Sequence, residues 1–356
     1  MGAHARETFL HLAEQPDLDV QALWTVNDYD DVKGNEAATV ADLLLDPIFL
    51  EADLLIYVFA VYHPFFDALL IGNGHAKQVV RFHNVTPPEL MPEKHRAVVG
   101  RSFVQIQNFR HADEIWCESR ENLEELERQS QAGRARIVDP SVDILTRAKL
   151  ADKPVGRIEM MYVGRFFGSK GIVDLVDAAA TLRDRGETDF RLSLFGNPRF
   201  SDEDYVGEVR QRIVDRSLDD LVDLVGTVSP GDLADAYGRS HIFATGSRHE
   251  GFCVPVIEAL AAGCIPVSYA NSNLRFVADG LGRLAHTQTP DGLADALEAV
   301  FRGLRCGTED PGLSLDRGHI SPTEFDDAVT EYIPLFEPDR YAERLVSRVR
   351  TILQQD

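Results

Sequence analysis

Two carboxylates in RHEGFCVPVIEALAAGCIPV, Arg248 to Val267, are set where they can do chemistry: Glu250 in a glycine-bearing loop and Glu258 eight positions on, inside a short apolar segment. Pro255 suits a first helical position, where a missing N–H costs nothing, and Gly263 suits the residue past a helix end. A helix over Val254–Ala262 is predicted. Its other members, such as Val256, Ile257 and Leu260, are apolar, and an unpaired carboxylate among them is costly to bury. Glu258 therefore either complements the helix dipole, worth about 0.3–1 kcal/mol, or holds a ligand; the second acid and the glycine loop favour the ligand.

A second constellation is GRFFGSKG, Gly164 to Gly171. Its glycines let backbone approach a ligand, the helix predicted after it offers N–H groups, and Arg165 and Lys170 bring two cations to one mouth. That is the chemistry of a diphosphate cradle, although the G-x-x-x-x-G-K-[ST] order of a P-loop is absent. A plain strand–helix turn with surface cations is the other reading, weakened by the scarcity of lysine, of which the chain has six. His83 follows the predicted strand Gln78–Phe82, and ligands of open α/β sheets sit beyond the carboxyl ends of strands. A histidine satisfied within its loop is the alternative. The D-x-D of NDYDD, Asn27 to Asp31, is a metal motif in some transferases, but its polar, glycine-flanked setting reads better as a solvated loop.

The elements that must position these residues alternate strand and helix. A helix over Ala3–Ala13 and a strand over Asp19–Val26 come first; then ADLLIYVFAVY, Ala52 to Tyr62, is a near-continuous apolar run typical of a strand buried on both faces. Further strands are predicted in ADEIWCES and ARIVD, with a helix over Glu93–Arg110 between the histidine loop and the first of these. That helix carries Lys94, His95, Arg96, Arg101 and Arg110, either a solvated face or one that approaches an anionic acceptor or a membrane surface. Pro140 to Val155 lacks periodicity and is the candidate linker. Strand–helix alternation resumes from RIEMMYVG to the Glu258 helix, so two parallel-sheet α/β domains across a cleft are expected.

Composition agrees. The chain has 356 residues, 44% of them hydrophobic, which suits two globular cores and excludes a disordered chain. No apolar run reaches the roughly 18 residues of a membrane span, and MGAHARETFL is no signal peptide, so a cytoplasmic protein is expected. Four cysteines without C-x-x-C spacing read as reduced, buried thiols. A net charge of −22 argues against nucleic acid as a partner.

Taken together, YVGRFFGSKG and RHEGFCVPVIEALAAGCIPV resemble the signature of the retaining glycosyltransferases of family 4, the glycosyl transferases group 1, which have the GT-B fold of two Rossmann-like parallel-sheet domains facing a cleft. The resemblance covers the carboxyl half well and the amino half loosely, through VVRFHNVTPPE, ADEIWCES and IVDPSVD. It implies an acceptor-side domain over residues 1–145, a nucleotide-sugar domain over 146–330, and a terminal helix, 331–356, that packs back on the first domain. By the same resemblance Gly164, Arg165 and Lys170 bind the donor's diphosphate, with the N–H groups of Phe252, Cys253 and Val254. Glu258 binds the ribose, Glu250 the donor sugar's hydroxyls, and His83 lies near the reacting carbon.

Where the sequence departs from the family, Gly246-Ser247 replaces Pro-Ser, Cys253 stands at a usual glycine, and ANSNLRFV, Ala270 to Val277, lacks the Gly-x-Pro-Glu pattern. The first strand of the amino domain and most of its glycine loop are missing, Gly2 being what remains. A late start or trimming is the expected cause. The implied activity is metal-independent retaining transfer, with no cofactor, from a nucleotide sugar to a glycan, lipid-linked or small-molecule acceptor, with peripheral membrane contact through the amino domain. The competing readings are a non-catalytic sugar-nucleotide-binding protein and a GT-B epimerase.

Overall fold

The computed structural model describes residues 2–25, 34–129, 132–305 and 312–354. The chain divides into two compact units, one of Met1–Ser141 with Pro338–Asp356, the other Val142–Glu337.

In the first unit α1 (Gly2–Ala13), α2 (Val40–Leu44) and α3 (Pro47–Glu51) precede β1 (Leu54–Phe59) and β2 (Lys77–Phe82). Then come α4 (Glu93–Ile106), β3 (Glu114–Cys117), α5 (Arg120–Arg128) and β4 (Ala135–Ile137). The strands lie in the order β1-β2-β3-β4, all parallel. Phe59 pairs with Phe82, Phe82 with Cys117 and Cys117 with Ile137, so all four strands end at one level. His83 and Glu118, the next residues of β2 and β3, therefore emerge side by side on that rim.

The second unit carries β5 (Ile158–Val163), α6 (Ile172–Asp184), β6 (Phe190–Phe195), α7 (Glu203–Asp215), β7 (Val222–Gly226) and α8 (Pro230–Arg239). These are followed by β8 (Ile242–Thr245), α9 (Val254–Ala261), β9 (Ile265–Tyr269), β10 (Arg283–Ala285) and α10 (Pro290–Arg305). A small antiparallel hairpin of β11 (Leu313–Leu315) and β12 (Gly318–Ile320) leads to α11 (Pro322–Tyr332). The parallel sheet runs β10-β9-β8-β5-β6-β7. After β7 the chain returns to lay β8 against the other side of β5, which makes the gap beyond β5 and β8 the topological switch point where ligands of such sheets bind. All four residues of β8 and all five of β9 are buried, as their apolar sequences require of central parallel strands.

The last helix, α12 (Pro338–Leu353), belongs to the first unit. Tyr341, Leu345, Val349 and Ile352 recur at helical spacing and are buried with Val79 and Trp116. Arg348 pairs with Glu114, and the Tyr341 hydroxyl meets Thr8 and the buried Arg81.

Several local expectations are corrected. Asp19–Val26 forms no strand within the described residues: Trp24 makes one bridge, to Asn35. Its apolar side chains are divided, Leu18 and Val20 packing beside α12 while Trp24 packs edge-on against Phe49, so they cannot share one sheet face. The predicted Glu93–Arg110 helix ends at Ile106 before a 3-10 turn. Pro255 occupies the second helical position of α9, not the first. The D-x-D lies outside the described residues.

Candidate functional site

The two glycine loops predicted to carry chemistry leave adjacent strands, β5 and β8, and meet. Gly171 has φ +60°, and a Cβ on it would stand 1.9 Å from the Gly246 carbonyl oxygen; a Cβ on Gly246 would stand 2.4 Å from that of Gly171. Only two glycines let these backbones touch. The departure at Gly246 thus has a local reason. Further bonds fix the contact: the Arg248 N–H donates to Ser169 O at 2.8 Å, and the buried Ser247 hydroxyl donates to the same oxygen at 3.3 Å.

Once the loops are joined, Lys170 Nζ stands 2.7 Å from Glu250 Oε1, with both side chains largely buried. Glu250 is held from behind, its N–H donating to Ser272 Oγ at 2.9 Å. The Asn273 side chain donates to Phe252 O at 2.9 Å. ANSNLRFV, without the family's pattern, supports the glutamate loop with these two side chains. Arg165 is exposed and stacks on Phe167 at 5.3 Å, on a loop anchored by the buried Phe166.

The donors at the site come from one helix. The N–H groups of Ile172 and Val173, expected to be open at the start of α6, instead donate to the Tyr205 hydroxyl at 2.9 and 3.2 Å. This corrects the reading of GRFFGSKG as a loop backed by a free helix start. At α9 the N–H groups of Phe252, Cys253 and Val254 precede the first intrahelical bond and donate to no acceptor among the described residues. Cys253 adopts φ +78°, the left-handed region that favours glycine, which is the residue usual there in the family it resembles. Burial pushes its thiol far up, so the sulfur stays uncharged beside these donors.

Glu258 projects from the middle of α9, and the Tyr237 hydroxyl of α8 donates to its Oε2 at 2.8 Å. Burial raises this carboxyl above the usual range, the Tyr237 hydrogen bond opposes that, and Asp143 adds to it. A carboxyl raised on folding destabilises the folded chain in full above its folded pKa and not at all below its unfolded one. Glu258→Gln is accordingly expected to raise the ligand-free stability at neutral pH by about 1 kcal/mol, the gain fading in acid. Thermal melts at two pH values check this; equal melting at both would contradict it.

In the first unit His83 stands at the end of β2, its Nδ1 2.6 Å from Glu118 Oε2, and Arg81 bonds the other Glu118 oxygen at 2.8–2.9 Å. Glu118 went unread in the sequence, although its position one residue past a strand neighbouring that of His83 is visible once the register is known. Tyr237, Tyr205, Ser272 and Asn273 went unread too, because nothing in their local spacing marks them. Gly164, Arg165, Lys170, Glu250, Phe252, Cys253, Val254 and Glu258 all lie on the loops and helix around the switch point of the second unit, and His83 lies in the other unit.

Residues 147–303 match the family described as glycosyl transferases group 1. A GDP-mannose:cellobiosyl-diphosphopolyprenol alpha-mannosyltransferase of Xanthomonas campestris is 32% identical over 136 residues, which are 38% of this chain and 34% of the relative. The chain thus aligns with about a third of that protein's length. Among solved structures, sucrose-phosphate synthase from Thermosynechococcus elongatus superposes with a TM-score of 0.66 at 21% identity, covering 88% of this chain and 78% of the other. Anabaena HepE in complex with UDP-glucose gives 0.65 at 17%, covering 88% and 82%. The chain has the GT-B fold of two Rossmann-like parallel-sheet units, and its second unit carries the match to the glycosyl transferases group 1.

Proposed function

We propose that the protein is a glycosyltransferase of family 4 that moves a sugar, with retention and without a metal, from a nucleoside diphosphate sugar to an acceptor hydroxyl. The observation that carries this reading is the union of the two glycine loops at the switch point, which gathers Lys170, Glu250 and the free N–H groups before α9. Breaking the sugar–phosphate bond leaves charge on the diphosphate. In this reading Arg165, Lys170 and the start of α9 stabilise that charge, and fixed donors do so without reorganising. Glu250 accepts from the sugar's hydroxyls and Glu258 from the ribose, while His83 is assigned to the reacting carbon by resemblance alone.

The donor's base is open between the classes named for similar proteins, GDP in the Xanthomonas mannosyltransferase and UDP in HepE. The acceptor is a glycan, a lipid-linked or a small-molecule hydroxyl. A cytoplasmic place with peripheral contact at a membrane's inner face belongs to the same proposal. The membrane contact rests on α4, where Lys94, Val98, Arg101 and Val104 follow one another at helical spacing and are all exposed. No described helix is long and apolar enough to cross a membrane.

A melting screen with UDP-glucose, GDP-mannose, UDP and GDP tests the site. A donor at a hundredfold excess over its Kd is expected to stabilise the chain by about 2.7 kcal/mol, a rise of several degrees. If no nucleotide of either base raises the melting temperature, the proposal fails.

A further inference from the structure

Resting on the reading of the switch point as a nucleoside diphosphate sugar site, we infer that Tyr237 is a positioning residue that aims Glu258 at the nucleoside's ribose. The ring of Tyr237 is fully buried, and its hydroxyl donates to Glu258 Oε2 at 2.8 Å. The residue cannot withdraw, because its backbone is tied as well: its carbonyl accepts from the buried Lys153 Nζ at 2.8 Å and from the Cys264 thiol at 3.3 Å. Glu258 makes no ion pair among the described residues. The titratable groups facing it are Tyr237, Asp143 and the Cys253 thiol, and none is a cation.

A carboxylate without a cation swings among rotamers unless a fixed donor holds it. Tyr237 holds one oxygen, which sets the side-chain torsions and leaves Oε1 to accept from a ligand hydroxyl. The donor is neutral and does not cancel the charge that strengthens a hydroxyl's hydrogen bond. Tyr237 thus defines the orientation of the acceptor seen by the ribose without touching the ligand.

Tyr237→Phe keeps the buried ring and removes the hydroxyl. Calorimetric titration with UDP and with GDP is expected to show about a fivefold to twentyfold loss of affinity for whichever the unaltered chain binds. The acid limb of the binding profile is expected to move to higher pH, because a donor that favours the charged carboxylate has gone. In turnover the loss falls on KM for the donor, with kcat unchanged. In a Glu258→Gln background the same change is expected to add no further loss, since the two residues act as one unit. Unchanged affinity in Tyr237→Phe, or an equal loss in both backgrounds with the acid limb unmoved, would overturn the role. Should Tyr237→Phe fail to fold, Glu258→Asp withdraws the carboxylate from the hydroxyl and is expected to give the same loss and the same shift; tight binding by that variant would overturn the role. Failure of the unaltered chain to bind either nucleotide would overturn the nucleotide reading itself, and this role with it.

Discussion

Replacing Gly171 with alanine is expected to destabilise the second unit by about 2–4 kcal/mol and to abolish nucleotide binding in the same step. The added Cβ would stand 1.9 Å from the Gly246 carbonyl oxygen, a backbone atom that no side-chain rotation can move aside. The φ of +60° adds the strain of a left-handed alanine. Relief requires the two loops to part, which withdraws Ser169 from the Arg248 N–H and the Ser247 hydroxyl and separates Lys170 from Glu250. Urea unfolding measures the first effect and calorimetric titration with UDP or GDP the second. An alanine variant that binds as well as the parent would mean that the loop contact does not build the site.

The cations are expected to separate chemistry from stability. Arg165→Ala and Lys170→Ala should each lower kcat by on the order of 10²–10³, the scale seen when a fixed donor to a developing anion is removed. Their stabilities should differ. Arg165 is exposed and, among the described residues, its side chain stacks on Phe167 alone, so its loss should change unfolding by less than about 0.5 kcal/mol. Lys170→Ala leaves Glu250 without its 2.7 Å partner in a largely buried place and should melt measurably lower. Single-turnover kinetics beside thermal melts would distinguish the two. Equal melting of both variants would show that the Lys170–Glu250 pair is not a structural clasp.

Much of this is legible in the sequence alone. The alternation of strand and helix and the near-continuous apolar strands gave the parallel sheets, because both signals are local. The two loops were legible as well, since glycines, cations and paired acids in so short a span have few other uses. What local sequence could not show was which donors stay open: α6 looks as available as α9 until Tyr205, far along the chain, is seen to occupy its first N–H groups. The partners of the acids were hidden for the same reason. Tyr237 reaches Glu258 from another helix, and Glu118 reaches His83 through the alignment of β2 with β3. The segment Asp19–Val26 misled because its apolar residues look like one strand face but serve two separate clusters.

The most direct test of the transfer reaction follows the fate of a labelled sugar on UDP-glucose and GDP-mannose incubated with the unaltered chain and with Glu250→Ala. One of the two donors is expected to release its sugar, slowly to water and faster to an added acceptor, while Glu250→Ala binds the nucleoside diphosphate and releases none. A donor that binds the unaltered chain tightly and keeps its sugar, with or without acceptor, would contradict the account and leave a sugar-nucleotide-binding protein in its place.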